Sequence, residues 1–327
     1  MSTVEKDVLG IGNAIVDVFS SCGDEFIKEN GLVKGAMTLV DQEEASKLYE
    51  SMVETKESSG GSAANTIAGV ASMGGQASFI GKIRNDKLGT AFTRDIHSLG
   101  VQFDTTVATS GASTARCLVF VTPDAQRTMA TYLGACVNLV PDDVDSASII
   151  GAKITYLEGY LWDPPEAKLA FRKAARLAHD NDREIALSLS DPFCVDRYRS
   201  EFLEFTSTEV DILFANEDEV TSLYRVKTLK EAILEVRKHC ETAVITLGEK
   251  GSLIVRGDAV YDIAAISPEG VVDTTGAGDL YAAGFLYGHT HGCDYPTCGL
   301  YGSRAAAEVI SHYGARPERS LKDLMVG

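Results

Sequence analysis

Positive charge is scarce in this chain. Thirty lysines and arginines stand against 47 aspartates and glutamates, a net charge of -17. Affinity for a polyanion comes mainly from neutralising phosphates with Lys and Arg, so this balance argues against nucleic acid as a partner while leaving room for a small anion in a local pocket. Long apolar runs are missing too: no stretch reaches the roughly 18 apolar residues a membrane helix needs. Residues 1–7 contain no basic segment leading into an apolar core, and the expectation is a cytoplasmic protein without a membrane partner. The seven cysteines are odd in number and scattered, which predicts reduced, mostly buried thiols. Cys293 and Cys298 have the wrong spacing for a usual zinc knuckle, and no His pair stands at ligand spacing. No fixed-period repeat or low-complexity segment occurs. What remains is an ordinary globular composition, 45% apolar and 24% charged, on a length of 327 residues that suits about two domains or one α/β domain with an appendage.

Val8 to Gly12 reads as a first buried strand, followed by a polar turn from Asn13 to Asp17. Gly10-x-Gly12 invites a dinucleotide fingerprint, but its third position is Val16, which argues against a Rossmann dehydrogenase. Asn13 and Asp17 are either turn formers or polar groups at the carboxyl end of a strand, where an amide and a carboxylate could hold vicinal hydroxyls of a sugar. Leu32 to Val40 is short and β-prone, and a polar helix is expected from Asp41 to Glu54. After a linker from Thr55 to Ser59, Gly60-Gly61-Ser62-Ala63-Ala64-Asn65 reads as a glycine turn entering a helix of small residues, with Ser62 as N-cap. Such a helix either packs tightly on a sheet or lets a ligand approach its backbone, with Asn65 facing it. Phe79 to Ile83 is strand-like, and Val101 to Thr122 reads as two or three strands. Joined with Leu32 to Val40, they would form a small sheet outside the main layer, a lid. Arg127 follows in the next turn, either solvated or a phosphate clamp.

The second half alternates regularly. Strands are expected at Ile154–Gly159, Ile185–Ser190, Ile212–Ala215 and Ala243–Leu247, with helices at Pro164–His179 and Leu229–His239. This βα alternation implies a mostly parallel sheet covered by helices on both faces. Asn216-Glu217-Asp218-Glu219 leaves one strand directly. It reads as a capping box, or as an acidic group that orders water around a phosphate-bound Mg2+. Thr246-Leu247-Gly248-Glu249-Lys250-Gly251 reads as a hairpin turn or as a floor for a nucleotide.

The stretch Asp273-Thr274-Thr275-Gly276-Ala277-Gly278-Asp279 runs into Leu280-Tyr281-Ala282-Ala283-Gly284-Phe285. A Gly-Ala-Gly turn that starts a helix leaves backbone amides without partners, and the macrodipole adds roughly half a positive charge there. Such an end holds anions. Asp279 in that first turn could take a proton from a hydroxyl while the amides stabilise charge on a transferring phosphoryl group.

Taken together, Gly60-Gly61 with Asn65, Gly81, Asn216-x-x-Glu219, Thr246-x-Gly248-x-x-Gly251 and Asp273 to Asp279 resemble, in order and spacing, the ribokinase-type (PfkB) carbohydrate and nucleoside kinases over essentially the whole chain. The resemblance implies an α/β fold: a three-layer α/β/α core with a mostly parallel sheet and a small β-sheet lid, here one kinase domain over 1–327 with the lid formed by segments around 13–40 and 101–131. It implies ATP and Mg2+, and transfer to a primary hydroxyl. Matched residue by residue, Asp279 is the general base, and Gly276, Ala277 and Gly278 form the anion hole. Asn216 and Glu219 organise magnesium through water. Thr246, Gly248 and Gly251 match nucleotide-side positions, and Asp17, Gly61 and Asn65 match positions that hold the acceptor; read from the residues themselves, Arg127 joins the nucleotide side and Asn13 and Gly60 the acceptor side. Asp273, with the tail from Ala305 to Ala307 and from Gly314 to Pro317, suggests a monovalent-cation (K+) site. Gly12 to Asp17, Gly61 to Asn65 and Leu187 to Phe193 look more like the adenosine kinases of the family than its ribokinases, so the expected acceptor is the 5'-hydroxyl of adenosine, with Tyr132, Tyr160 and Phe193 as candidates for an aromatic slot. A ribokinase- or fructokinase-like sugar kinase is the alternative within the class, and a low-turnover nucleoside or nucleotide sensor the alternative outside it. A monomer and a homodimer fit the sequence equally.

Overall fold

Strands apolar at every position require cover on both faces, and the order of the chain supplies it. The computed structural model describes residues 5–124, 126–268 and 270–325. Thirteen strands follow one another along the chain. They are β1 Lys6–Ile11, β2 Ile15–Ser21, β3 Met37–Leu39, β4 Lys56–Gly60, β5 Ala77–Ile80, β6 Ala115–Val121, β7 Arg127–Tyr132, β8 Ala152–Glu158, β9 Glu184–Ser188, β10 Ile212–Asn216, β11 Thr242–Thr246, β12 Ser252–Arg256 and β13 Ala259–Ile263. Eight of them form the main sheet in the order β13-β12-β11-β10-β9-β8-β1-β5. It is parallel from β11 to β5, with Gly10 level with Tyr156 and Leu213 level with Leu187, and only the β12 and β13 pairings are antiparallel.

Side chains alternate across this sheet. On β10, Ile212 and Phe214 join one apolar cluster with the helices Ser62–Ser72, Ala277–Thr290 and Tyr295–Val309. Leu213 and Ala215 join the opposite cluster, with the helices Pro165–His179, Pro192–Glu209, Glu217–Tyr224 and Leu229–His239. The architecture is therefore the expected three-layer α/β/α sandwich. All seven cysteines are free, three of them buried.

The second sheet has five strands in the order β3-β7-β6-β2-β4. Its composition departs from expectation in three places. Residues 101–114 contribute no strand to it: Gln102 bridges Ser78 and Ala108 bridges Arg84, so this segment clings to the edge of the main sheet instead. The supposed linker is largely strand β4, an edge strand whose polar sequence Lys-Glu-Ser-Ser-Gly lacks any apolar alternation and is ordered by antiparallel pairing with β2. The polar turn after β1 is shorter than expected, because β2 already begins at Ile15. From there burial alternates. Val16 and Val18 point into the apolar core, and Asp17 and Phe19 are left on the other, open face.

Beneath the carboxyl edge, the turn Gly159–Trp162 after β8 is anchored by the fully buried Trp162, whose ring lies 4.8 Å from Phe202, 4.9 Å from Phe205 and 5.9 Å from Phe171. Truncating a buried aromatic loses its transfer energy and leaves a cavity. Trp162→Ala is expected to destabilise the chain by about 3–5 kcal/mol, read from denaturant unfolding, and Trp162→Phe by clearly less. Equal losses for the two variants would show that packing volume does not set the effect.

Candidate active site

The helix Ala277–Thr290 begins as its sequence requires. Gly276 is the N-cap, with φ 78°, and a Cβ there would lie 2.7 Å from the Cβ of Ala315. Only glycine combines that backbone conformation with such a close approach. Among the described residues the amides of Gly276 and Gly278 meet no acceptor, whereas the Ala277 amide donates to the Thr274 carbonyl at 3.2 Å. The three-amide anion hole is thus two open amides and one that is engaged. Asp279 stands two residues after Ala277, in the first turn of this helix.

A second helix faces it. Ser62–Ser72 is entered through Gly61, with φ 97°, where a Cβ would fall 2.0 Å from the Asn13 carbonyl oxygen. Ser62 is not the N-cap, because Gly61 holds that place. The Ser62 hydroxyl instead donates to Asp279 Oδ1 at 2.6 Å, and Asn65 Nδ2 donates to Oδ2 at 2.9 Å. These groups lie more than 200 residues apart in the chain. Burial raises the Asp279 carboxyl above its ordinary range, against the pull of Ser62, Asn65 and Arg316. Among the described residues Asn65 Oδ1 is buried without a partner, an acceptor left over beside Asp279.

Two residues that sequence reasoning did not assign hold this helix in place. Glu158, at the end of β8, is 1% exposed and accepts from the Ala63 amide at 2.9 Å, Asn13 Nδ2 at 2.7 Å and the Asn13 amide at 3.3 Å. Asn13 thus turns its Nδ2 and backbone amide toward Glu158 and is buried, while its Oδ1 has no hydrogen-bond partner among the described residues. Arg316 donates to the Ser59 and Ala64 carbonyls at 3.2 and 2.8 Å and to Ser59 Oγ at 3.1 Å, and its charge acts on Asp95, Asp17 and Asp279. No local pattern marks Glu158. Arg316 is visible in sequence only as part of a tail motif, 252 residues from the carbonyl of Ala64 that it binds.

Asn216 and Glu219 form a reciprocal cap. Asn216 Oδ1 accepts from the Glu219 amide at 2.8 Å, Glu219 Oε2 from the Asn216 amide at 2.9 Å, and Asn216 Nδ2 donates to Glu219 Oε1 at 2.7 Å. Burial pushes the Glu219 carboxyl up to about 7. Among the described residues no group of three His, Cys, Asp or Glu side chains is placed to hold a metal ion. That donor set fits a Mg2+ carried by phosphates and keeping its waters, not one caged by protein.

A cavity of about 380 Å³ joins these parts, lined by Ser62, Tyr160, Asn216, Glu219, Thr246, Gly276, Gly278 and Asp279. Through Thr246, Thr274, Ala277, Gly278 and Tyr281 it shares a wall with a second, more apolar cavity of about 520 Å³. Gly248 and Gly251 line that second cavity, together with Ile266, Val271, Ala306 and Ile310. The turn carrying Gly248 also closes the β11–β12 hairpin, as the first reading of that stretch expects. A third cavity, about 460 Å³, lies on the open face of the second sheet and is lined by Asp17, Phe19, Arg127, Tyr313 and Arg316. Asp17 lies against the backbone of Gly60, where a Cβ would sit 2.4 Å from its Oδ2. Burial pushes the Asp17 carboxyl up to about 6, opposed by Arg316 and Arg127.

Of the aromatic candidates, Tyr160 lines the first cavity. Tyr132 does not: its hydroxyl donates to Gln42 on the helix Gln42–Ser51, and its ring lies under Arg116, because it occupies the alternate face of β7 from Thr131. Phe193 is 77% exposed in the first turn of its helix and lines none of these three cavities. Arg127 is not free for phosphate, since its guanidinium pairs with Asp273. The Asp273 carboxylate is fully engaged in turn. Oδ1 accepts from the Thr275 amide and hydroxyl at 3.1 and 2.7 Å, and Oδ2 from the Gly314 amide at 3.0 Å as well as from Arg127. A monovalent cation on Asp273 does not fit this arrangement.

Residues 36–321 match the model of the pfkB family of carbohydrate kinases. An adenosine kinase from Sinorhizobium meliloti has a similar structure, with a TM-score of 0.90 and 51% identity over 98% of each chain. A probable sugar kinase from Rhizobium etli CFN 42 also has a TM-score of 0.90, at 48% identity over 98% of each chain. The adenosine kinase of Saccharomyces cerevisiae is 25% identical over 93% of this chain and 94% of its own. The family match spans most of the chain and the likeness to an adenosine kinase spans nearly all of it, so the chain belongs to the pfkB family and is a phosphotransferase.

Proposed function

We propose that this kinase transfers the γ-phosphoryl group of ATP to the 5'-hydroxyl of adenosine, giving AMP and ADP. One observation carries the reading. Asp279 stands in the first turn of the helix whose open Gly276 and Gly278 amides line the same cavity, while Ser62 and Asn65 fix it from the acceptor side. Each Asp279 oxygen accepts one hydrogen bond and keeps capacity for another, so the carboxylate can take the acceptor's hydroxyl proton. The open amides would receive charge on the transferring group, and the apolar cavity beyond Thr246 suits the nucleotide base. Mg2+ bound with the nucleotide supplies charge neutralisation, with Asn216 and Glu219 as the residues that would order its waters. Asp17, Gly60, Gly61 and Asn65 would hold the ribose, and Tyr160 offers a ring to the purine. Catalysis is then mostly positioning and electrostatics.

Adenosine is favoured by the likeness to the S. meliloti adenosine kinase at 51% identity. A free sugar is the second reading, favoured by the likeness at 48% identity to a protein described as a probable sugar kinase. A sensor with little turnover would have no need of an ordered base beside open amides.

Adenosine, inosine, guanosine, cytidine, ribose and fructose, each with MgATP in an ADP-release assay, separate these readings. Adenosine is expected to give the highest kcat/KM, turnover of a free sugar alone would replace the nucleoside assignment, and no ADP release with any would favour the sensor. Asp279→Asn is expected to lower kcat by about a hundredfold or more with nucleotide binding retained. Near-normal turnover would remove Asp279 from the base role.

The pH profile follows from the raised carboxyls. Burial pushes Asp17 up to about 6 and also raises Asp279, and each charge disfavours the other. A base and a hydroxyl-binding carboxylate work ionised, so kcat/KM is expected to fall as pH drops through the Asp17 value of about 6, with the raised Asp279 carboxyl acting in the same direction. A rate that stays flat down to about pH 4.5, near the ordinary carboxylate range, would contradict the buried setting of both groups.

A further inference from the structure

We propose that Arg127 takes the place of a monovalent cation at Asp273, so that this kinase carries its own positive charge at the loop shaping the anion hole and does not need K+. The proposal rests on the kinase reading for its activity readout only. Its structural basis is the filling of Asp273. A carboxylate has roughly four acceptor positions, and the Thr275 amide and hydroxyl, the Gly314 amide and the Arg127 guanidinium occupy them. The pair is shielded, with side-chain exposures of 11% for Arg127 and 10% for Asp273. The guanidinium lies over two rings, 5.6 Å from that of Phe19 and 5.0 Å from that of Tyr313. Aromatic faces of this kind favour a cation at a fixed position.

The connectivity gives that charge a task. Asp273 lies three residues before Gly276, and through Gly314 it ties the anion-hole loop to the segment that ends in Arg316. Arg127 is the first residue of β7, in the second sheet. The ion pair thus fastens the second sheet to the loop that presents the open amides. Arg127 acts as a positioning residue and touches no reacting atom. Removing it alone would leave a buried carboxylate without a counter-charge, a costly state that a small cation would relieve. Metal binding to the native state would then raise stability by mass action.

The experiment compares wild type, Arg127→Met and Arg127→Met/Asp273→Asn in KCl and in tetramethylammonium chloride at equal ionic strength, reading melting temperature without substrate and phosphoryl transfer with MgATP. Wild type is expected to show the same melting temperature and rate in both salts. Arg127→Met is expected to melt higher by a few degrees in KCl and to gain at least about fivefold in kcat from K+, the size of a typical coupling between sites. In the double variant both charges are gone, the fold carries no unpaired ion, and the K+ response is expected to vanish. A wild type whose rate or melting temperature rises with K+ overturns the proposal. So does an Arg127→Met protein, folded by circular dichroism, that ignores K+ in both readouts, or a double variant that still responds. Because the melting arm uses no substrate, failure of the adenosine reading leaves this result legible.

Discussion

The seating of the helix that faces Asp279 depends on one buried carboxylate. Glu158 ends β8 and gathers the amide and side chain of Asn13 and the amide of Ala63 around it. This fixes the amino end of the helix Ser62–Ser72 against the carboxyl edge of the main sheet, and only then do Ser62 and Asn65 reach Asp279. Three donors favour the ionised form, yet burial dominates and pushes the Glu158 carboxyl up to about 7. A group held so close to neutrality can be buried without the full cost of an unpaired charge.

An acidic chain that handles phosphate has a general difficulty, since its own field repels the substrate. The site meets it locally. Open backbone amides at a helix end supply positive potential without burying a charged side chain. A guanidinium drawn deep among the carboxylates, Arg316, is shared by Asp17, Asp95 and Asp279 and also hydrogen-bonded to Ser59 and Ala64. One fixed cation thus offsets several carboxylates, and the scarcity of Lys and Arg in the composition is compatible with binding a small polyanion.

The layered fold was legible because its signals are local and periodic. Strands apolar on both faces and amphipathic helices such as Leu229–His239 follow from spacing alone. The second sheet was less so. Strand β4 carries no hydrophobic pattern, and residues 101–114, although β-prone, are captured by the edge of the main sheet. In the site, the first turn of the helix Ala277–Thr290 could be read directly, since a glycine turn entering a helix encodes its own geometry. Ser62 was assigned to the wrong partner, because a hydroxyl at a helix start has a local acceptor in prospect and its real one lies on another helix. Tyr132 failed for a simpler reason: alternation along β7 sends it to the far face, which composition cannot foresee.

The same contrast separates reaction from specificity. On the proposed reading, the groups closest to phosphoryl transfer would lie within Asp273 to Asp279, since a helix terminus is an anion site built from consecutive residues. On the same reading the acceptor side would draw on Asp17 of β2, on Gly60 and Gly61, and on Asn65 of the helix Ser62–Ser72, while the loop from Tyr313 to Glu318 lines the third cavity together with Asp17. Its shape is a property of how two sheets and a terminal loop meet, so substitutions in any one segment can reshape the cavity while Asp279 and its amides stay in place. That is the physical reason one family can keep a single reaction and vary the hydroxyl it phosphorylates. In this chain the segments at issue are Asp17 and Phe19 on the open face of β2, facing Tyr313 and Arg316 across the third cavity.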